Sequence, residues 1–83
     1  MHRIMIYTRP TCSDSLRLRG WLNAMALRFV EHDLTLPAIS DEAQRRTGSR
    51  VGPITVIEGE VILGTAADQI RQIRPLVGLI KAA

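Results

Sequence analysis

The sequence predicts a single α/β domain over residues 1–83, in which three or four helices flank a four-stranded mixed sheet in the order β-α-β-α-β-β-α. The first observation is that short β-rich segments alternate with helical patterns, which is typical of βαβ units. The second is the length, because a chain of this size buries roughly 60% of its unfolded surface in one core. The third is the single cysteine, which excludes an internal disulfide and leaves packing to stabilise the fold.

The first two elements are a strand over residues 3–8, which is rich in β-forming side chains, and a helix over residues 13–26. A proline-containing loop separates them. Gly20 interrupts the helical pattern, and close packing against the sheet is the expected reason. The helix is predicted by an apolar stripe at helical spacing, which comprises Leu16, Leu18, Trp21, Leu22 and Met25.

The second strand is expected within residues 27–34, where β-forming side chains return. Two strands joined through a helix should pair in parallel with a right-handed crossover. Thr35 is a candidate N-cap for the next helix, with Pro37 in its first turn, and Gly48 follows the predicted end of that helix.

The last part of the chain predicts a hairpin followed by a helix. The β-rich runs at residues 54–57 and 61–63 are separated by a short turn that contains glycine, which favours antiparallel pairing. Thr65 and Asp68 resemble a capping box, so a helix should begin near Ala66. Pro75 should end this helix or begin a final short helical segment.

Charge and hydropathy exclude several kinds of partner. The formal net charge is +3, and ten of the eleven basic residues are arginines scattered along the chain. This balance permits small anionic partners, but scattered arginines and only three aromatic residues argue against nucleic-acid binding. No apolar stretch approaches the ~18 residues of a membrane span, and the N-terminus lacks the pattern of a secretion signal. We therefore expect a cytoplasmic monomer with no nucleic-acid or membrane partner.

Cys12 is the residue with the most chemical promise, since it lies where the first strand joins the first helix. Unpaired N–H groups at a helix start favour thiolate over thiol, and the thiolate is the reactive form. Ser15 can turn its hydroxyl toward the sulfur and Arg9 can lie nearby, whereas the Asp14 carboxylate opposes a second negative charge. The alternative interpretations are an inert buried cysteine and a serine that only satisfies backbone groups.

Two segments carry a family resemblance. Residues 7–15, with the sequence Tyr-Thr-Arg-Pro-Thr-Cys-Ser-Asp-Ser, resemble the Tyr-Thr-Lys-Pro-x-Cys-Pro-Tyr-Cys active-site segment of glutaredoxins. Residues 48–64 align without a gap to the pattern of that family around Thr-Val-Pro, a hairpin with Asp-Gly or Glu-Gly, and Gly-Gly. Residues 29–34 are also similar at the second strand. The resemblance implies a thioredoxin-like fold over nearly the whole chain.

The resemblance also implies a set of site residues. Pro53 would be a cis proline that faces the thiol, and the backbone of Gly52 would pair with the cysteinyl part of glutathione. Arg9 matches a lysine near the glycine carboxylate of glutathione, and Arg50 lies where a second contact is usual, although each arginine taken alone is more typical of a solvated surface residue. Backbone donors at the start of the last main helix would meet the γ-glutamyl end, which involves Gly64, Thr65 and Ala66.

Three departures from the family pattern are specific. Ser15 replaces the second active-site cysteine, so an internal disulfide cannot form. The Ser13-Asp14 pair replaces Pro-Tyr and also differs from the Gly-Phe of members that bind iron–sulfur clusters. Thr65, Ala66 and Ala67 stand where the family has a cysteine and aspartates, so the usual carboxylate for the glutathione ammonium group is missing.

The leading hypothesis is a monothiol disulfide exchange in which Cys12 is the nucleophile and Ser15 assists it. Glutathione would be a co-substrate with no tightly bound cofactor, and the partners would be glutathione or another low-molecular-weight thiol together with glutathionylated or disulfide-containing proteins. One alternative is a non-catalytic thioredoxin-fold module that binds a partner in the same groove, and another is iron–sulfur cluster binding by a dimer. A metal site formed by His2 and His32 is not expected, because their spacing fits no common ligand pattern.

Overall fold

The computed structural model of the protein describes residues 4–82. The predicted order of elements is confirmed, and of the two alternatives at Pro75 the structure has the final short helical segment, a 3-10 turn followed by a short helix. The strand predicted to begin at Arg3 is described from Ile4 onward, because Arg3 lies outside the described residues. The elements are β1 (Ile4–Thr8), α1 (Ser13–Ala24), β2 (Phe29–Asp33), α2 (Pro37–Thr47), β3 (Ile54–Ile57), β4 (Glu60–Ile62), α3 (Ala66–Ile73), the 3-10 turn Arg74–Leu76 and α4 (Val77–Ala82).

The four strands form one mixed sheet in the order β2-β1-β3-β4. β1 and β2 are parallel, with Ile4 opposite Phe29, as expected for two strands joined through α1. β1 pairs antiparallel with β3, and β3 pairs antiparallel with β4. The mixed sheet predicted from the sequence is therefore confirmed.

Alternate residues of β1 point to opposite faces of the sheet, so one strand contributes to two hydrophobic clusters. Ile4 and Ile6 belong to the larger cluster, which packs the sheet against α1 and α3. Tyr7 belongs to the smaller cluster on the other face, together with Leu34, Ala43 of α2 and Ile54. Helices thus cover both faces of the sheet.

Two expectations for the first helix are wrong. Leu16 is 46% exposed, because it lies two positions from the buried Leu18 and so faces about 200° away on the helix. Gly20 is likewise exposed, and among the described residues a Cβ built there meets nothing within 4 Å beyond its chain neighbours and the backbone of its own helix. Packing against the sheet does not explain this glycine. The helix also ends at Ala24, just before Ala26 adopts a left-handed φ of 56°.

The predicted N-cap of α2 is wrong as well. Leu36 occupies the N-cap position and Pro37 begins the helix, as its fixed φ allows. The Thr35 hydroxyl and backbone N–H instead donate to Asp33 Oδ1 at 2.7 and 2.8 Å. This local turn uses the hydroxyl before the helix starts. The end of α2 agrees with the prediction, because Gly48 adopts a left-handed φ of 79°.

The hairpin and α3 follow the predicted pattern with one shift. Glu58 and Gly59 have φ values of 51° and 82°, as in the tight two-residue turns that match strand twist. This turn places Glu60 directly opposite Ile57, so β4 begins one residue earlier than expected. Thr65 caps α3 by accepting a hydrogen bond from the Asp68 N–H at 3.2 Å, as predicted.

The edge strand β2 carries a charged contact with the first helix. Glu31 on β2 accepts hydrogen bonds from Arg19 of α1, the shortest at 2.7 Å, and from the Thr8 hydroxyl at 2.6 Å. These contacts fix α1 against the edge of the sheet. Among the helices of residues 4–82, none has the length and hydropathy needed to cross a bilayer.

Candidate functional site

Cys12 lies at the N-cap of α1. Its backbone carbonyl accepts the first helical hydrogen bond from the Leu16 N–H at 3.0 Å, and its own N–H donates to the Arg9 carbonyl at 3.1 Å. The thiol is free and partly exposed. The sulfur is therefore placed at a helix start with access to solvent, which is the environment expected of reactive cysteines.

The surroundings of Cys12 lower the pKa of its thiol. The Ser15 hydroxyl has the largest effect, and the backbone N–H groups of Ser15 and Asp14 act in the same direction, while partial burial and the Asp14 carboxylate raise the pKa. Hydrogen bonds to the charged form favour that form. The net result is a thiol that ionises more readily than an ordinary cysteine.

Ser15 has contacts that fit both interpretations considered for it, a backbone contact and an effect on the Cys12 thiol. The side chain is fully buried, and Oγ accepts a hydrogen bond from the Arg9 N–H at 3.2 Å. With the lone pair engaged in this way, the hydroxyl hydrogen can serve the Cys12 sulfur. A single buried serine therefore fixes the loop before α1 and stabilises the thiolate.

The Gly52–Pro53 peptide bond is cis, as the family resemblance implies. A Cβ built on Gly52 would lie 2.8 Å from Leu34 Cδ1, 3.3 Å from the Tyr7 carbonyl oxygen and 3.6 Å from Ser15 Oγ. A larger residue therefore cannot enter without displacing its neighbours. The proximity to Ser15 brings the loop before β3 next to the start of α1.

A cleft of about 380 Å³ runs beside this loop. We call it the proline cleft. It borders the start of α1, because Asp14 forms part of its wall two residues after Cys12. The lining residues are Asp14, Ser49, Val51, Gly52, Pro53, Leu63, Gly64 and Thr65.

The expected donor at the start of α3 is already occupied. The Asp14 carboxylate accepts a hydrogen bond from the Ala66 N–H at 2.9 Å. The Ala66 N–H is therefore not open to a ligand carboxylate, and the prediction for this donor is wrong. The contact joins residues 52 positions apart, at the meeting point of two helix starts. Gly64 and Thr65 do line the cleft, whereas Ala66 is fully buried.

The two candidate arginines lie in different surroundings. Arg50 forms an ion pair with Asp41 of α2 at 2.7 Å and donates to Ser40 Oγ at 3.1 Å. Arg9 lies close enough to Asp33 to help lower the pKa of that carboxyl, after the larger effects of the hydrogen bonds from Thr35. Neither arginine is among the residues that line the proline cleft.

Gln69 is a site residue that the sequence analysis missed. Its Nε2 donates to the carbonyl oxygens of Pro53 at 2.8 Å and Gly64 at 3.0 Å, and its Oε1 accepts from the Thr55 hydroxyl at 2.6 Å. The side chain is fully buried. One glutamine thus ties together the two loops that border the proline cleft, and its position on the apolar face of α3 was the available signal.

No group of three or more histidine, cysteine, aspartate or glutamate side chains within residues 4–82 is placed to hold a metal ion. His32 packs against the Tyr7 ring, with centroids 5.4 Å apart. His2 lies outside the described residues.

The fold and the site together define a thioredoxin-fold redox protein, with its cysteine at the first helix start and a cis proline nearby. The sequence model of the glutaredoxin family matches residues 4–62, which is more than half of the chain. The protein therefore belongs to the glutaredoxin family. No curated protein sequence matches the chain.

Solved structures agree with this assignment. The glutaredoxin from Brucella melitensis is 28% identical, with a TM-score of 0.71, and the alignment covers 95% of this chain and 88% of that one. A thioredoxin-like protein is 27% identical with a TM-score of 0.77, over 88% and 97% of the two chains. A buckwheat glutaredoxin in complex with glutathione shares the fold at 20% identity, with a TM-score of 0.76 over 98% of this chain and 78% of that one.

Proposed function

We propose that the protein is a monothiol oxidoreductase that exchanges disulfides between proteins and a low-molecular-weight thiol, with glutathione as the first candidate. The observation that carries this proposal is the Cys12 thiol at the start of α1, whose pKa is lowered chiefly by the Ser15 hydroxyl. Membership of the glutaredoxin family supports it. The glutathione complex of the buckwheat relative supports the choice of thiol.

The reaction begins with attack of the Cys12 thiolate on the glutathione sulfur of a glutathionylated protein. A bond forms between Cys12 Sγ and glutathione while the original disulfide breaks, and the substrate protein leaves as a thiolate that takes a proton from solvent. The substrate cysteine is thereby reduced. Cys12 now carries the oxidised sulfur as a mixed disulfide.

A second glutathione completes the cycle. Its thiolate attacks the bound glutathione sulfur, glutathione disulfide leaves, and the Cys12 thiolate is restored. Ser15 cannot attack the mixed disulfide as a second cysteine would, because a hydroxyl forms no disulfide. An external thiol must therefore finish every turnover, and Ser15 acts by stabilising the thiolate in both the attacking and leaving roles.

The test follows Cys12 alkylation against pH together with turnover of a glutathione mixed disulfide on a peptide. We expect the alkylation midpoint to lie below the value of about 8.5 for a free cysteine, and we expect turnover that disappears in Cys12→Ser. A midpoint at or above that value without turnover would contradict the proposal. Ser13→Ala is the matched control, since Ser13 is exposed in the same helical turn.

A further inference from the structure

Asp14 brings a carboxylate into the wall of the proline cleft. Its Oδ1 accepts from the Ala66 N–H at 2.9 Å, and the side chain is partly exposed. The carboxylate is close enough to Cys12 to oppose ionisation of the sulfur. Asp14 therefore lies between the reactive thiol and the start of α3.

Among residues 4–82, Asp14 forms no ion pair with an arginine or lysine. Among the described residues that line the cleft, Asp14 is the charged one. Arg50, which precedes the cleft residues Val51 to Pro53, is committed to Asp41 at 2.7 Å. Asp68, which lies beside Gly64, adds a second carboxylate near the same end and pairs with Arg71 at 3.3 Å.

We propose that Asp14 is a specificity-determining residue that favours exchange with neutral or cationic small disulfides over those bearing a carboxylate. This inference rests on the proposed disulfide exchange at Cys12 but not on glutathione as the thiol, since glutathione bears two carboxylates and would be disfavoured beside Asp14. An incoming carboxylate finds the Ala66 N–H already occupied and meets a like charge beside it. A cationic aminothiol instead meets the attraction of the Asp14 carboxylate.

The exchange step is the same for each class of disulfide. The Cys12 thiolate attacks one sulfur, a new disulfide to Cys12 forms, and the other half leaves as a thiolate that is protonated by solvent. The bonding pair of the small disulfide leaves with the departing sulfur, which is reduced to a thiolate, and the Cys12 sulfur is oxidised from thiolate to mixed disulfide. Selectivity enters through the charge of the half that occupies the cleft.

The experiment compares three symmetrical disulfides of similar size, which are the dicationic cystamine, the neutral 2-hydroxyethyl disulfide and the dianionic 3,3′-dithiodipropionate. Rates of Cys12 mixed-disulfide formation are read by intact mass at pH 7. The rate for each charged disulfide is divided by the rate for the neutral disulfide, so that changes in the ionisation of Cys12 cancel. We expect the normalised rate to be higher for the cation than for the anion.

Asp14→Asn is the informative variant, because the amide oxygen can still accept from the Ala66 N–H while the charge is gone. We expect the ratio of cationic to anionic rates to fall about fivefold in this variant, as for the loss of a solvent-accessible charge interaction. In 1 M salt the wild-type ratio should approach that of the variant, since the Debye length is then about 3 Å. Glu60→Gln, an exposed acid at the hairpin turn away from Cys12, should leave the ratio unchanged.

The outcomes separate the two proposals. Failure of the neutral disulfide to react with Cys12 would overturn the exchange function itself. Normal reaction of the neutral disulfide, with a ratio that Asp14→Asn does not change, would overturn the role of Asp14 alone. Circular dichroism spectra of both variants show whether each has folded, and Asp14→Ser offers a smaller neutral acceptor if Asp14→Asn does not fold.

Discussion

The buried Gln69 side chain provides a sharp test of how the site is held together. Replacing it with leucine keeps a similar volume but removes three hydrogen bonds, to Pro53, Gly64 and Thr55. Each bond contributes about 1 kcal/mol net, and buried groups left without partners add to the loss. We expect Gln69→Leu to lower the free energy of unfolding by about 3 kcal/mol.

The measurement is urea unfolding followed by circular dichroism, with calorimetry to give Tm. For a domain of this size, about 3 kcal/mol corresponds to a fall of roughly 12–24 °C in Tm. Gln72→Leu is the matched control, because Gln72 is exposed on the same helix and makes one long hydrogen bond of 3.4 Å. It should change stability by less than about 0.5 kcal/mol.

A double-mutant cycle with Thr55→Val separates the hydroxyl contact from the two carbonyl contacts. The two substitutions should be non-additive, because they remove one shared bond. If the free energy of unfolding of Gln69→Leu lies within about 0.5 kcal/mol of the wild-type value, the hydrogen bonds of Gln69 do not stabilise the fold and the reasoning is refuted.

Three further predictions concern the thiol, the first helix and the acid side of the stability profile. Ser15→Ala should raise the pKa of Cys12, because the hydroxyl is the largest influence lowering it; an unmoved midpoint of iodoacetamide alkylation would contradict this. Gly20→Ala should stabilise the protein by about 0.5–1 kcal/mol in urea unfolding, since the site is open, and a loss of stability would show a hidden contact. Burial raises the pKa of Glu31, but its hydrogen bonds, chiefly from Arg19, outweigh burial and lower it. The stability that Glu31 contributes is therefore present above its unfolded pKa of about 4.3 and is lost as the pH falls through its lower folded pKa. The difference in free energy of unfolding between wild type and Glu31→Gln should accordingly shrink between pH 7 and pH 3. A constant difference would argue against the ion pair.

The order of elements could be predicted because each is encoded locally. The Glu58-Gly59 turn, the Thr65 cap and the glycine after α2 all act through residues only a few positions apart. The N-cap predicted at Thr35 is wrong because the neighbouring Asp33 carboxylate binds the Thr35 hydroxyl. A propensity for N-caps does not show which of two nearby polar partners wins.

The site was predictable in part. The position of Cys12 at a helix start and the reach of Ser15 follow from spacing along one helix. The contacts of Asp14 with Ala66 and of Gln69 with Pro53 join segments 52 and 16 residues apart. They depend on how α1 and α3 dock on the sheet, which hydrophobic periodicity does not specify to within the length of a hydrogen bond.

The presence of one sulfhydryl in the entire chain has a practical consequence. Any disulfide-linked form of this protein must join Cys12 to a second molecule, either a foreign thiol or another copy of the chain, since no second thiol is available to close a ring. The mass added to the protein when it is isolated under conditions that trap thiols will equal that of its last partner thiol minus two hydrogens. The mass of the oxidised protein therefore identifies the thiol with which Cys12 last reacted.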